Sequence, residues 1–267
     1  MDRPTWASDD IDLERPSAAR VYDFYLGGSH NFAPDREMAE QAMQMWPELP
    51  RIMQANRAFL RRAVQYLVDQ GIRQFIDIGS GIPTVGNVHE AAQRADPAAR
   101  VVYVDIDPVA VNHSRLILAD DDQTVVLQED LRTPDAVLDH PELLQHLDLD
   151  APVAVLMVAV LHFIGDDDRP RDIIDRYRQL IAPGSYLAIS HASYEGQPDL
   201  ATSHQKLYQR TRTPMTMRSR DEITAFFDSL TLVEPGVVWL PLWRPDGPEH
   251  TDHPERTTGF AAVGRKD

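Results

Sequence analysis

The sequence predicts an α/β fold built on a mostly parallel sheet covered on both faces. Three observations predict it. From Arg73 onward, short and nearly all-apolar segments alternate with stretches of helical periodicity. The first such segment runs into Asp77-Ile78-Gly79-Ser80-Gly81, an acidic residue and two glycines ahead of a helix-like stretch from Thr84 to Ala95. The second ends in Asp105, 28 residues after Asp77. Strands are expected at 74–78, 101–105, 124–128, 153–158 and 186–191, with helices starting near Thr84, Pro108, Pro134 and Asp168. The last of these helices carries Ile173, Ile174, Tyr177, Leu180 and Ile181 on its inner face and stops at Pro183-Gly184. After a helix around 221–229, residues 237–240 and 259–263 read as antiparallel strands, which completes a seven-stranded sheet with an antiparallel C-terminal strand.

Ahead of the sheet the pattern is helical. Residues 1 to about 15 are polar and acidic and read as a loose arm. Between Pro16 and Gly71, Ile52, Asn56, Phe59, Leu60, Ala63, Val64, Leu67 and Val68 recur at helical spacing, and Gly71 suits the stop. The expected organisation is an arm at 1–15, a helical cap or lid at 16–71 and a ligand-binding domain at 72–267. Residues 245–254 read as a surface loop.

Composition narrows the function. At 267 residues the chain can bury a substantial core in one large α/β domain with an extension. Its 26 basic and 42 acidic residues give a net charge of −16. That field opposes nucleic acid and anionic membrane surfaces, so neither is expected as a partner. With no cysteine, a disulfide framework, a thiolate metal site and a cysteine nucleophile are all excluded. The ten histidines show no His-Glu-x-x-His or comparable spacing, and no metal is expected. The N-terminus lacks the apolar segment of a signal peptide, and the longest apolar run, 153–161, is too short to span a bilayer. A cytoplasmic protein is expected.

The glycine turn specifies a ligand class. Glycines there let backbone N–H groups approach a nucleotide-like ligand, and an acidic residue at the next strand end can accept from ribose hydroxyls. A dinucleotide fingerprint needs a third small residue where this chain has Thr84, after Pro83. A phosphate-cradling loop needs Gly-Lys-Ser/Thr, yet the only lysines are Lys206 and Lys266. The Asp77 carboxylate would repel a pyrophosphate and attract a cation. Charge sign favours S-adenosylmethionine, which carries a sulfonium and an ammonium and no phosphate, over NAD or ATP.

The order Asp77-x-Gly79-x-Gly81, Val104-Asp105-x-Asp107, Glu129-Asp130-Leu131 and an apolar fourth strand leading to Leu161-His162-Phe163 resembles the class I S-adenosylmethionine-dependent methyltransferases. Ala18-Ala19-Arg20-Val21-Tyr22-Asp23-Phe24-Tyr25-Leu26-Gly27-Gly28, followed by Asn31-Phe32, is similar to an actinobacterial methyltransferase family long catalogued as a domain of unknown function. Asn56-Arg57-Ala58-Phe59-Leu60-Arg61-Arg62-Ala63, Asn87-Val88-His89-Glu90 and Val158-Ala159-Val160-Leu161-His162-Phe163 resemble that family as well. The resemblance runs from about Pro16 to the end. It implies a Rossmann-like fold with S-adenosylmethionine as cofactor and S-adenosylhomocysteine as product, and it is silent on the methyl acceptor.

For individual residues the resemblance implies that Gly79, Ser80 and Gly81 hold the methionine portion, with Asp77 near its ammonium. Asp105, with Ile106 beside it, falls to the ribose, while Asp107 caps the helix at Pro108. Asp130 would accept from the adenine amino group and the Leu131 N–H would donate to the ring. His162, after the fourth strand, is either a substrate-facing base or a structural histidine, and His191, after the fifth, has the same two readings. Tyr22, Tyr25, Gly27, Gly28 and Asn31 suit a lid that excludes water, or equally a helix ended by glycine. Arg57 could pair bidentately with the cofactor's carboxylate, or be a solvated helix charge. The function expected is methyl transfer to an oxygen or nitrogen of an unidentified small molecule. Its rivals are a non-catalytic S-adenosylmethionine sensor and, disfavoured by Thr84 and Asp77, a nicotinamide-dependent oxidoreductase.

Overall fold

The computed structural model describes residues 13–83, 86–209, 211, 213–247 and 251–267. Most of the expected arm, the helix start at Thr84 and residues 248–250 of the expected loop lie outside them.

Five parallel strands form where apolar runs were expected: β1 (Gln74–Ile78), β2 (Arg100–Asp105), β3 (Thr124–Gln128), β4 (Ala154–Val158) and β5 (Tyr186–Ala192). Three further strands follow: β6 (Thr231–Leu232), β7 (Val238–Trp239) and β8 (Gly259–Arg265). The order is β3-β2-β1-β4-β5-β8-β6, with β7 also on β8, and β8 is antiparallel to β5 along its whole length. The sheet therefore has eight strands rather than seven. Two-residue β6, paired through Thr231–Arg265 and Leu232–Gly264, is too short to leave a periodic signal.

Side chains alternate across the sheet. Ile76, Val102, Val155, Leu187 and Ala262 face one layer, and Phe75, Val101, Ala154, Ala188 and Ala261 the other. Against the first face lies α8 (Pro170–Leu180), anchored by Ile173, Ile174 and Tyr177. Two short helices, α6 (Pro134–Leu138) and α7 (Pro141–His146), cover the same face. One helix was expected from Pro134, but Pro141 has no N–H to donate and excludes helical geometry just before it. The other face carries α3 (Leu49–Asp69), α4 (Val88–Ala95) and α5 (Pro108–Ile117). The α4 helix starts at a capping box, in which the Glu90 carboxylate accepts from the Asn87 and Gly86 N–H groups. The helix expected around 221–229 is shorter, α10 (Arg220–Thr224), and continues as a 3₁₀ turn over Ala225–Phe227.

The N-terminal helices divide between two layers. Phe59, Leu60, Ala63, Val64 and Leu67 pack α3 onto the sheet beside Trp243, so packing crosses the expected boundary at residue 71. Buried Arg62 pins this contact, donating from Nε to the Trp243 carbonyl and from Nη2 to the Leu240 carbonyl, both at 2.8 Å. By contrast, α1 (Ala18–Tyr25) and α2 (Ala33–Met45) form a separate cluster with α9 (Pro198–Tyr208), a helix not anticipated from the sequence. Its buried stripe is only Ala201, His204, Leu207 and Tyr208, too polar to read as a core face. Among the described residues no helix is long and apolar enough to cross a membrane.

Replacing Arg62 with leucine strands two buried carbonyls. Stability in urea is expected to fall by about 1.5–3 kcal/mol, the scale of hydrogen bonds to a charged group. A midpoint equal to the parent's would show that this guanidinium does not hold α3 in place.

Candidate active site

The strand order reverses between β1 and β4, and the crevice at such a switch point opens at the strands' carboxyl ends. A cavity of about 630 Å³ lies there, within the range that buries a small-molecule ligand. Its floor is the turn after β1. Gly79 and Gly81 have φ of +69° and +63°, a region that side chains with a Cβ rarely adopt. The Gly79 and Ser80 N–H groups both donate to the Val104 carbonyl, at 2.8 and 3.1 Å, which locks the turn onto β2. A Cβ on Gly79 would sit 2.3 Å from Val160 Cγ2. The turn thus packs directly against the segment that follows β4.

Asp77 ends the floor strand, and its side chain has no hydrogen bond or ion pair among the described residues. It is only 5 % exposed. Burial raises its carboxyl to about 7, opposed by the Arg57 charge and reinforced by Asp105. The Arg57 guanidinium, 5.3 Å over the Tyr22 ring, lines the same cavity, and its Nε has no hydrogen-bond partner. A buried, unpartnered carboxyl and an unpartnered guanidinium share one crevice. Buried polar groups are normally satisfied within the protein, so a pair left without hydrogen bonds at a cavity wall is a candidate binding site.

Asp105 is tied down differently. Its Oδ2 accepts from Gly81 N at 2.7 Å and its Oδ1 from Asp107 N at 2.8 Å. Burial raises this carboxyl to about 6, with the N–H groups opposing. One carboxylate therefore fixes the glycine turn while keeping lone pairs for a ligand. Ile106 beside it lines the cavity and is 52 % exposed, an apolar surface without cover. Asp107 does cap α5, accepting from Val109 N at 2.8 Å. Asp130 and Leu131 also line the cavity. Burial pushes the Asp130 carboxyl up, but hydrogen bonds from Arg132 outweigh it and hold it below its ordinary value. The Leu131 N–H makes no hydrogen bond among the described residues.

After β4 the chain turns through Ala159, whose φ of +59° is unusual for a residue with a Cβ. The Ala159 N–H donates to Ser190 Oγ at 3.0 Å, and that hydroxyl donates to Asn56 Oδ1 at 2.6 Å. Asn56 Nδ2 then donates to the Tyr22 hydroxyl at 2.9 Å. One hydrogen-bonded chain joins β4, β5, α3 and α1 around the cavity. Asn56 was read as a member of the helix stripe and of a family-like segment, with no role at the site. A lone amide on an apolar stripe was the available signal.

His162 follows in a 3₁₀ turn and lines the cavity, buried. Its Nδ1 accepts from Ala192 N at 3.4 Å, so the neutral tautomer that keeps this contact carries its proton on Nε2. Burial, then the neighbouring His191, His204 and Arg218, hold it well below its ordinary value. His191 lines the cavity but has no free nitrogen, which removes it as a substrate-facing group. Its Nδ1 pairs with the Ala192 carbonyl at 2.7 Å and its Nε2 with Arg218 at 3.0 Å, while burial brings it down to about 3.

The N-terminal turn follows one of its two readings, a helix ended by glycine, with Gly27 at φ +79° after α1. Tyr22 and Tyr25 line the cavity, whereas Asn31 does not. The Asn31 amide donates to Asp23 Oδ2 and to the Gly28 carbonyl, at 2.8 and 3.0 Å, and Asp23 Oδ2 also accepts from His30 N. A Cβ on Gly28 would lie 2.0 Å from Asp23 Oδ1. This turn is wrapped around a carboxylate rather than hinged at its glycines. The buried pair Arg20–Asp35, with Ser17 on Asp107, then ties α1 to α2 and to α5 beside the ligand turn. Among the described residues, no group of three or more His, Cys, Asp or Glu is placed to hold a metal ion.

A mixed sheet of this order, with a glycine turn and acidic strand ends at its switch point, defines the class I methyltransferase architecture. The chain belongs to the S-adenosyl methyltransferase family, whose profile matches residues 4–267, and its methyl donor is accordingly S-adenosylmethionine. A candidate methyltransferase from Thermobifida fusca YX is 39% identical, with a TM-score of 0.92 over 99% of this chain and 100% of that one. A DUF574 family protein from Streptomyces avermitilis MA-4680 is 40% identical, with a TM-score of 0.92 over 96% and 100%. N-methyltransferase NodS from Bradyrhizobium japonicum WM9, in complex with S-adenosyl-L-homocysteine, is 16% identical, with a TM-score of 0.52 over 92% and 98%, a likeness of fold alone. No curated protein matches the chain in sequence.

Gly79→Ala forces a Cβ into both a left-handed backbone and Val160. The left-handed conformation alone is expected to cost about 1–2 kcal/mol, read as a lower thermal midpoint of the ligand-free protein. An unshifted midpoint would mean that the turn can relax without this geometry.

Proposed function

We propose that the protein transfers the methyl group of S-adenosylmethionine to an oxygen or nitrogen atom of a small molecule. The observation that carries the proposal is the pairing of an unpartnered Asp77 carboxyl with an unpartnered Arg57 guanidinium in one crevice. An α-amino acid end, with its ammonium and carboxylate, complements both. A phosphate ligand would leave Asp77 facing like charge. Asp105 then takes the ribose hydroxyls with its remaining lone pairs, Ile106 covers a face of the base, and the Leu131 N–H and Asp130 read its edge.

The cofactor supplies an electrophilic methyl on sulfur. The protein's own part is placement, and the proton that the acceptor's oxygen or nitrogen gives up on methylation passes to solvent rather than to a side chain. A neutral His162 with its proton on Nε2 donates a hydrogen bond to the acceptor and so orients it; held so far below its ordinary value, it is a weak base. Alignment at about 3 Å is then the main source of acceleration. The helices α1 and α2 serve as the lid, fixed to the ligand turn through Arg20, Asp35 and Asp107. A sensor would need no room beyond the cofactor, whereas this cavity continues from the strand ends to Trp46 and His204.

Titration calorimetry with S-adenosylmethionine, S-adenosylhomocysteine and NAD tests the ligand. The first two should bind, and binding of NAD alone would overturn the proposal. Asp105→Ala should weaken S-adenosylmethionine by about 1–3 kcal/mol, the scale of a buried hydrogen-bonded group. A folded variant with unchanged affinity would remove Asp105 from the site.

The pH dependence follows from Asp77 and Asp105, raised to about 7 and about 6 against roughly 3.9 in an unfolded chain. Their raised values favour the folded state below the unfolded value, and this contribution is lost as pH rises through 6 and 7. Binding an ammonium requires the ionised form, so it releases a proton and affinity climbs over the same range before levelling. Asp77→Asn should flatten the profile around 7. Equal slopes for both proteins would exclude Asp77 as the ammonium's partner.

A further inference from the structure

The cavity does not end at the strand edges. It continues into the cluster formed by α1, α2, α9 and residues 213–217. Five rings run along that extension, each in contact with the next. Centroids are 4.5 Å apart for His162 and Phe163, 5.7 Å for Phe163 and Tyr208, 5.0 Å for Tyr208 and His204, and 5.7 Å for His204 and Trp46. The row starts at the turn after β4, beside the glycine floor, and ends under the N-terminal helices.

At its far end three buried polar atoms have no hydrogen-bond partner among the described residues: Trp46 Nε1, which can only donate, His204 Nε2 and the Tyr25 hydroxyl. Trp46 and His204 line the cavity and are 2 % and 4 % exposed. Such orphaned groups are rare in folded proteins because each forfeits the hydrogen bond it made with water. A ligand oxygen that reaches this end can accept from Trp46 Nε1 or pair with His204 Nε2. Charge is missing from this end. Over 46–53, within α9 and over 213–217, every described lining residue is uncharged at neutral pH. Burial brings His204 down to about 4 and raises the facing hydroxyls of Tyr25 and Tyr208 above their ordinary range, so all three stay neutral.

We infer that this extension is the methyl-acceptor subsite, and that it takes a flat, uncharged aromatic molecule with an oxygen at the end remote from the reacting atom, read by Trp46 and His204. The inference rests on the methyl-transfer reading above. Flat rings find edge and face contacts along the row, which aliphatic acceptors would forgo. A charged acceptor would be desolvated against it without a counter-charge.

Calorimetry on protein saturated with S-adenosylhomocysteine tests this, using 2,6-dihydroxynaphthalene, 2-naphthol and the anion 6-hydroxy-2-naphthoate. The dihydroxy compound should bind about tenfold more tightly than 2-naphthol, the weight of one added hydrogen bond in a dry site. The naphthoate should bind more weakly than either. Trp46→Phe and His204→Phe keep the ring row and remove the polar atoms, so the tenfold preference should fall to near one while S-adenosylhomocysteine affinity holds. If those variants do not fold, Met215→Trp decides: it fills the extension from the 213–217 side and should abolish naphthol binding alone. Loaded protein that binds no naphthol, prefers the naphthoate, or keeps the tenfold preference in both phenylalanine variants overturns the subsite. Protein that does not bind S-adenosylhomocysteine overturns the methyl-transfer reading itself, and the subsite with it.

Discussion

The site depends on a carboxyl buried with no partner. Asp77 sits at the carboxyl end of the central strand, next to the reversal in strand order, where no main-chain donor reaches its side chain. Burying such a group costs free energy that folding alone does not recover. The fold tolerates it because the group can be neutral near pH 7, and because Arg57 supplies an opposite charge across the crevice. An internal salt bridge at that position would stabilise the empty protein and compete with any ligand. Holding the two groups apart from all other partners leaves their interaction free energy to the ligand.

Around that carboxyl, rigidity comes from hydrogen bonds that cross elements. Asp105 holds the glycine turn, Ser190 holds the left-handed Ala159, and Asn56 links Ser190 to Tyr22 on the first helix. Each bond joins segments far apart in the chain. The glycine turn after β1 and the turn after β4 are therefore set relative to one another by side chains on β5 and α3. Backbone strain at Ala159 persists because both neighbours over-determine it.

The half of the candidate site built on the sheet was legible because it is local. A strand end, two glycines and the next acidic strand end all fall within β1 to β2, and periodicity alone places them. Asp107 as a cap follows from its position before Pro108. Asn31 stayed open between two readings because a polar residue after two glycines looks the same whether it faces a ligand or binds Asp23. His191 was ambiguous for a similar reason: only Arg218, far along the chain, shows that its second nitrogen is taken. Trp46 and His204 carried no signal, since nothing in a linear pattern brings a residue after α2 against the middle of α9. The missed strand β6 and helix α9 belong to the same category of long-range, low-periodicity structure.

This division has a physical origin. A cofactor shared across a fold class is met by the sheet, whose register and strand ends are dictated by local alternation. In the proposed site an acceptor is met by helices and loops packed over that sheet, whose contacts come from the tertiary arrangement of α1, α2 and α9. The two halves meet at His162, which stands on the sheet's own turn and is also the first ring of the aromatic row. Its tautomer is set by Ala192 N, a main-chain donor on β5, so the imidazole is oriented by the same strand that stabilises Ala159. Changes in the overlying helices can thus alter what is methylated without disturbing how the methyl donor is held.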